Sequence, residues 1–280
     1  MREILSTAEQ VMTFADFHGA ADCHFHIMDE AFPTVPNPAV RNRTADVAQY
    51  RAFAAEVGTT RGVVVQPSLY GTNNSHTLEA LRALGAGYRA VVVIDESVPM
   101  ATLRAWDRVG VRGVRFNQVQ AGATTMAMMP AVAQRIADLG WHIQLHIKAS
   151  ALAEHEAMLR ALPVPLVLDH VGRVEHADMA RPGFDTILRL LAGGRTWVKL
   201  SAPYQDSRRG PPGYEDAVEV GRRLASENED RLVWGSDWPH VTEPEKPEAG
   251  PLSTFLAASL KDEGRIRKAL IQNPALLYGF

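Results

Sequence analysis

Tyr88-Arg89-Ala90-Val91-Val92-Val93-Ile94 closes on four consecutive β-branched residues with no polar residue among them. A strand with one face in water alternates apolar and polar residues. A continuous apolar run instead marks a strand covered on both faces, as in a parallel sheet flanked by helices. Val63-Val64-Val65 repeats the pattern. Working outward, strands are predicted over Gly19–Ile27, Arg61–Gln66, Tyr88–Ile94, Val111–Asn117, Trp141–Ile147, Val164–His170, Arg195–Ser201 and Arg231–Asp237. Between them, Thr44–Val57, Asn74–Leu84, Met126–Leu139 and Glu215–Glu227 set apolar residues three and four apart, the period of a helix. Units of roughly 30 residues repeated in this way predict an α/β fold, a (β/α)8 TIM barrel. Counting strands does not prove closure, so an open doubly wound sheet stands as the alternative.

The chain has 280 residues, 46% hydrophobic and 22% charged, which excludes a disordered or low-complexity protein. Its richest Pro/Gly stretches, Arg209-Gly210-Pro211-Pro212-Gly213 and Glu243–Pro251, follow predicted strands and read as βα loops, not linkers. One domain over residues 1–280 is therefore expected. Lys+Arg 29 against Asp+Glu 32 leaves a net charge of -3, so no broad basic surface is available and nucleic acid is not an expected partner. No apolar run approaches the ~18 residues of a membrane helix. Charges interrupt Met1–Gln10, which lacks the apolar core of a secretory signal. A single cysteine, Cys23, permits no internal disulfide and reads as a small buried residue on a core strand. A cytoplasmic location without membrane association is the expectation.

Polar residues at the C-terminal ends of buried strands need a reason, and nearly every predicted strand has one. They are His24 and His26 on strand one, Gln66 on strand two, Arg115 and Asn117 on strand four, and His146 on strand five. Asp169 and His170 follow on strand six, Lys199 and Ser201 on strand seven, Ser236 and Asp237 on strand eight. Side chains two apart share a strand face. His24 and His26 then point one way, with Cys23, Phe25 and Ile27 pointing the other. By the same parity His170 groups with Leu166 and Leu168, and Asp237 with Val233 and Gly235. In a closed barrel these strand ends meet around one cavity, the face where such barrels keep their active sites. His24, His26, His146, His170 and Asp237 form the main constellation. Imidazoles and a carboxylate suit a divalent ion such as Zn²⁺, which lowers the pKa of bound water from 15.7 to about 7. A nearby carboxylate accepts the proton as water attacks. His18, His76, His155 and His176 fall in loops or helices, and His142 sits at the far end of its strand. There is no phosphate-binding Gly-x-x-x-x-Gly-Lys loop, no His-Glu-x-x-His and no Gly-x-Ser-x-Gly elbow. Gly85-Ala86-Gly87-Tyr88-Arg89-Ala90 has the letters of a dinucleotide fingerprint but precedes a strand, so it reads as a helix stop.

Four segments carry a resemblance: Asp22-Cys23-His24-Phe25-His26, Gly110-Val111-Arg112-Gly113-Val114-Arg115-Phe116, Asp169-His170-Val171-Gly172-Arg173 and Trp234-Gly235-Ser236-Asp237-Trp238-Pro239-His240. Together they resemble the amidohydrolase superfamily, and within it the TIM-barrel lactonases that include 2-pyrone-4,6-dicarboxylate lactonase. The likeness runs from about Gly19 to Asn273-Pro274-Ala275. It implies hydrolysis of a small carboxylated lactone from aromatic or sugar-acid catabolism. His24, His26 and His170 would polarise the carbonyl, and Asp237 would activate water. Arg115 and Arg173 match positions that grip substrate carboxylates, with Tyr204, Ser68 and Tyr70 as further pocket residues. For Arg173 a structural ion pair is an equal expectation.

Two departures from the lactonase pattern stand out. Basic residues expected after the strand-four arginine and after Ser201-Ala202-Pro203-Tyr204 are replaced by Gln118-Val119-Gln120-Ala121 and Gln205-Asp206, with Arg208 or Arg209 as candidates to compensate. In addition, His146 stands where metal-dependent members place a ligand. The implied metal set is His24, His26, His146 and Asp237, most readily for one zinc ion, while metal-free catalysis stays open. The runner-up activity is a metal-dependent non-oxidative decarboxylation of a small unsaturated or aromatic acid. An anionic small-molecule substrate is expected, and a homo-oligomer is compatible with the sequence.

Overall fold

Strand runs that must be covered on both faces find that cover in a barrel. The computed structural model describes residues 13–120 and 122–280. The Met1–Gln10 stretch read for a secretory signal, and Ala121, lie outside the described residues. The strands are β1 (Ala21–Phe25), β2 (Arg61–Val65), β3 (Tyr88–Val92), β4 (Val111–Asn117), β5 (His142–His146), β6 (Leu166–Leu168), β7 (Thr196–Ser201) and β8 (Leu232–Gly235). Each pairs in parallel with the next in chain order. The ring closes just past β8. The Asp237 N–H donates to the His24 carbonyl at 2.8 Å, the His26 N–H donates to the Trp238 carbonyl at 2.8 Å, and Phe25 bridges Trp238 in parallel. The fold is the (β/α)8 barrel, and the open-sheet alternative falls.

Consecutive apolar residues divide between two compartments, which is why the runs are continuous. Ala21, Cys23, Val63, Val65, Val91, Val167, Trp197 and Val233 fill the barrel interior together with Tyr278. Phe25, Val64, Val92, Leu166, Leu168 and Val198 face the surrounding helices. Two parity expectations are thereby corrected. Cys23 joins the interior rather than the outer layer, because the β1 register shifts between Asp22 and Phe25 and the bulge breaks strict alternation. Leu166 and Leu168 face outward, so His170 does not share their side by alternation. β6 ends at Leu168, and His170 takes a left-handed φ of 51°.

The predicted helices form at Val47–Val57, Ser75–Leu84, Met129–Ile136 and Glu215–Asn228. The first starts on a capping box in which Asp46 accepts from the Gln49 N–H and the Gln49 side chain accepts from the Asp46 N–H. Gly85 ends the Ser75–Leu84 helix, donating its N–H to Leu81, as its helix-stop reading requires. The Glu243–Pro251 loop is shorter than read, because the Ala249–Leu260 helix starts inside it with Pro251 in the first turn. A proline there removes an N–H that has no intrahelical partner anyway. At the floor of the barrel Tyr278 packs its ring 5.3 Å from that of His142. Gly113 makes room for this pair, since a Cβ there would lie 2.5 Å from His142 Nε2. No helix among the described residues is long and apolar enough to cross a membrane.

Candidate active site

Strand β1 carries two histidines to the mouth, and their placement depends on how closely β8 approaches. Asp22 bolts the two together. It accepts from the Ser236 N–H at 2.9 Å, the Ser236 hydroxyl at 2.6 Å, the His24 N–H at 3.1 Å and the Tyr50 hydroxyl at 3.3 Å. Gly235 permits the approach, because a Cβ there would stand 2.7 Å from His24 Cβ. Beyond β8 the chain turns sharply. Asp237 has a φ of 61°, so its direction comes from a left-handed turn and not from the strand alternation that grouped it with Val233.

Three imidazoles meet this carboxylate. Asp237 Oδ1 lies 3.5 Å from His24 Nε2, 3.5 Å from His26 Nε2 and 3.8 Å from His170 Nε2. All four residues are buried. His26 Nδ1 stands 2.8 Å from the Val65 carbonyl, which only accepts, so Nδ1 carries a proton. In the neutral ring the Nε2 lone pair then faces the carboxylate. His24 Nε2 is buried with no hydrogen-bond partner. His170 Nδ1 pairs with the Ser201 hydroxyl at 3.0 Å. Burial pushes the His170 imidazole down to about 4 and holds the His24 and His146 rings well below their ordinary value. Asp237 Oδ2 accepts from the Tyr204 hydroxyl at 2.7 Å and the Gln205 amide at 3.3 Å. Burial and the adjacent Asp237 charge hold the Tyr204 phenol well above its ordinary range, which keeps it a donor.

Beneath the imidazoles lies a second polar layer. Asp169 Oδ1 stands 3.3 Å from His24 Nδ1 and 3.6 Å from Lys199 Nζ, while Oδ2 accepts from Arg115 Nε at 3.2 Å and Gln144 Nε2 at 3.1 Å. Burial opposes ionisation of Asp169, but His24, Lys199 and Arg115 override it and hold the carboxyl well below the carboxylate range. The fully buried Lys199 donates to the Cys23 carbonyl at 2.9 Å and to Gln144 Oε1 at 2.7 Å. Burial brings its ammonium down to about 8, so it remains charged at neutral pH.

The remaining predicted residues separate. Arg115 reaches toward Ser68 Oγ, 3.5 Å from one terminal nitrogen, and Asn117 donates to the same oxygen at 2.6 Å. Arg173 forks onto Asp206 at 2.6 and 3.1 Å and sets its third nitrogen 2.8 Å from His146 Nε2. Arg173 and Asp206 thus form an ion pair that also engages His146 Nε2, while His146 Nδ1 is buried with no partner. Among the described residues the groupings able to hold an ion are His24, His26 and Asp237, and His24, Asp169 and His170; His146 is in neither. The Tyr70 hydroxyl donates to Asn42 or Asp29 and accepts from the Asp29 N–H, pinning the loop after β1. Gln144, Lys199 and His240 gained no role from sequence. Gln144 shares the inward parity of His146, and His240 ends the segment that carries Asp237, so their positions were visible but their partners were not.

The barrel gathers histidines from β1 and from the turn after β6, with an aspartate after β8, at the face where (β/α)8 enzymes hold their active sites. The chain belongs to the amidohydrolase family, whose model matches residues 21–280. It is 31% identical over 273 residues to the 4-sulfomuconolactone hydrolase of Hydrogenophaga intermedia, covering 93% of this chain and 89% of that one. It is 32% identical over 274 residues to the 2-pyrone-4,6-dicarboxylate hydrolase of Comamonas testosteroni, covering 93% and 90%. A crystal structure from Agrobacterium tumefaciens superposes with a TM-score of 0.87 at 25% identity over 94% of each chain.

Proposed function

We propose that the protein hydrolyses a small lactone bearing a further anionic group, with Asp237 as the general base. The observation that carries this reading is the convergence of three imidazole nitrogens on Asp237 Oδ1 within 3.5 to 3.8 Å at the mouth. In the reaction a water oxygen bonds to the acyl carbon while Asp237 takes one of its protons. The ring C–O bond then breaks, and the departing alkoxide or enolate oxygen takes a proton back, giving the open-chain acid. Tyr204 and Gln205 orient the base through its other oxygen. His24, His26 and His170 surround the carbonyl as its oxygen gains charge. Arg115 and Ser68 offer a guanidinium and a hydroxyl to the substrate's carboxylate or sulfonate, a pairing that planar guanidinium groups make well. Of the two hydrolases named above, one is named for a sulfonated lactone and the other for a pyrone dicarboxylate, itself a cyclic ester, which supports this substrate class.

The residues also fit a divalent ion. The His26 lone pair faces a carboxylate oxygen, and His24 Nε2 has no partner, an arrangement that a cation between them would satisfy. His24, His26 and Asp237 would hold it, zinc being the best match to two nitrogens and an oxygen. Bound there, it would polarise the lactone carbonyl as a Lewis acid.

A panel of carboxylated and sulfonated lactones, assayed for acid release in weak buffer with added zinc and with chelator, tests the proposal. One proton released per lactone opened, lost in Asp237→Asn, is the expected result. Carbon dioxide release from an unsaturated or aromatic acid without lactone opening would instead establish the decarboxylase. Wild-type turnover in Asp237→Asn would remove Asp237 from the role of base.

A further inference from the structure

A cavity of about 660 Å³ lies to one side of the imidazole cluster, between the loop after β1, the Val47–Val57 helix and the loop after β8. That is within the size range of sites for small organic ligands. None of His24, His26, His146, His170 or Asp237 lines it. Its apolar wall includes Met28, Phe53, Trp238 and Val241, and its cationic side consists of Arg41, Arg43 and Lys246. Two carboxylates, Glu56 and Glu248, also line it. Among the described residues neither forms an ion pair with the three cations, and Arg41 and Arg43 have no hydrogen-bond partner. Lys246 is held in place, donating to the His240 carbonyl at 2.7 Å and the Glu243 carbonyl at 2.6 Å. Burial and the nearby Arg43 charge push its ammonium below the ordinary value.

A second, independent observation lies at the wall of the same cavity. His240 is buried at 2% exposure, lines the cavity, and leaves its Nε2 without a partner. A buried polar atom without a partner is costly, so this ring marks a wall of the cavity that the protein itself leaves unsatisfied. The other ring nitrogen, Nδ1, stands 3.2 Å from the Tyr204 hydroxyl, which donates to Asp237.

We infer that this cavity is a second binding site, for an aromatic or alicyclic monoanion. Its ring packs on Trp238 and Phe53 beside His240, and its carboxylate or sulfonate meets Arg43 and Lys246. His240, at the cavity wall, is linked to Asp237 by two hydrogen bonds through the Tyr204 hydroxyl. The inference rests on the cavity alone and stands whether or not lactones are the substrates.

Calorimetric titration of the full chain with benzoate and benzenesulfonate, against neutral benzamide, tests it, with tryptophan fluorescence reporting through Trp238. Both anions bind, benzamide binds at least several-fold more weakly, and raising NaCl from about 0.05 to 0.5 M weakens the anions because the cations are open to solvent. Arg43→Glu, at an exposed position, weakens the anions by roughly tenfold or more, since it puts a like charge beside the ligand. Arg115→Ala, at the catalytic mouth, leaves their affinity unchanged. Absence of binding at about 10 mM benzoate, or equal affinity in Arg43→Glu, overturns the inference. So does loss of binding in Arg115→Ala alone, which would place the anion at the catalytic mouth. None of these outcomes depends on turnover, so failure of the lactonase proposal would be seen separately.

Discussion

Replacing Lys199 with methionine sets two opposed effects against each other, and their sizes can be worked from the structure. Lys199 is fully buried, and its ammonium falls from 10.5 to about 8 because burial outweighs the attraction of Asp169. At 1.36 kcal/mol per pKa unit, keeping that charge inside the barrel at neutral pH costs about 3 kcal/mol relative to the neutral amine. Methionine has a similar length, carries no charge and removes that cost. Against this, the variant strands the Cys23 carbonyl and Gln144 Oε1, which accept from Nζ at 2.9 and 2.7 Å. Each stranded acceptor costs about 1–3 kcal/mol. Asp169 keeps Arg115 at 3.2 Å and so does not become an isolated charge. The sums nearly cancel, and Lys199→Met is expected within about 2 kcal/mol of wild type in urea unfolding at pH 7.

The pH dependence separates this account from simple packing. Lysine's folded pKa lies below its unfolded value, so between about 8 and 10.5 the unfolded chain binds more protons and the stability of the wild type rises with pH. Lys199→Met lacks that rise, so the wild type gains on the variant across this window. Lactone turnover, meanwhile, drops in the variant, because Asp169 Oδ1, 3.3 Å from His24 Nδ1, loses the ammonium 3.6 Å away that helps hold it beneath the ring. A variant destabilised by more than about 4 kcal/mol, or one that keeps pace with the wild type from pH 8 to 10.5, would refute the reasoning.

Tyr204→Phe removes a 2.7 Å hydrogen bond to the Asp237 carboxylate. A bond to a charged group contributes about 1.5–3 kcal/mol, so steady-state kinetics should show kcat lower by roughly 10- to 100-fold with the fold intact by circular dichroism. In Gly113→Ala the new Cβ would lie 2.5 Å from His142 Nε2, so the ring must shift. Thermal unfolding should report a loss of about 1–3 kcal/mol, with no loss of zinc affinity because the clash lies at the floor and not the mouth. Glu156 is held down to about 2, chiefly by Arg189 and also by Arg160 and Thr186. Its folded pKa is below the unfolded value, so its contribution is present above about pH 4.5 and is lost as pH falls toward 2. Glu156→Gln should therefore lose less Tm than wild type across that window, and salt should shrink the difference because the pair is open to water.

The sequence by itself determined the architecture and the polar inventory. Apolar runs such as Val91–Ile94 can be buried only by a layer on each side, and helical spacing between them supplies one of those layers, so the chain order dictates alternating strands and helices. Polar residues at strand ends were legible for a related reason, because a buried strand has no other use for His26, Arg115 or Asp237. What the tertiary structure decided is where local alternation breaks. Cys23 faces inward because β1 carries a bulge, and His170 and Asp237 are aimed by left-handed residues after their strands have ended. Period-two reasoning cannot see a φ of 51° or 61°. Pairings across the barrel were equally hidden. Nothing in the order of residues shows that Arg173 engages Asp206 and His146, or that Lys199 reaches across to the β1 carbonyl of Cys23. Local pattern follows from the covalent chain, whereas partner choice follows from closure, which brings residues about 30 to 200 positions apart within hydrogen-bond reach.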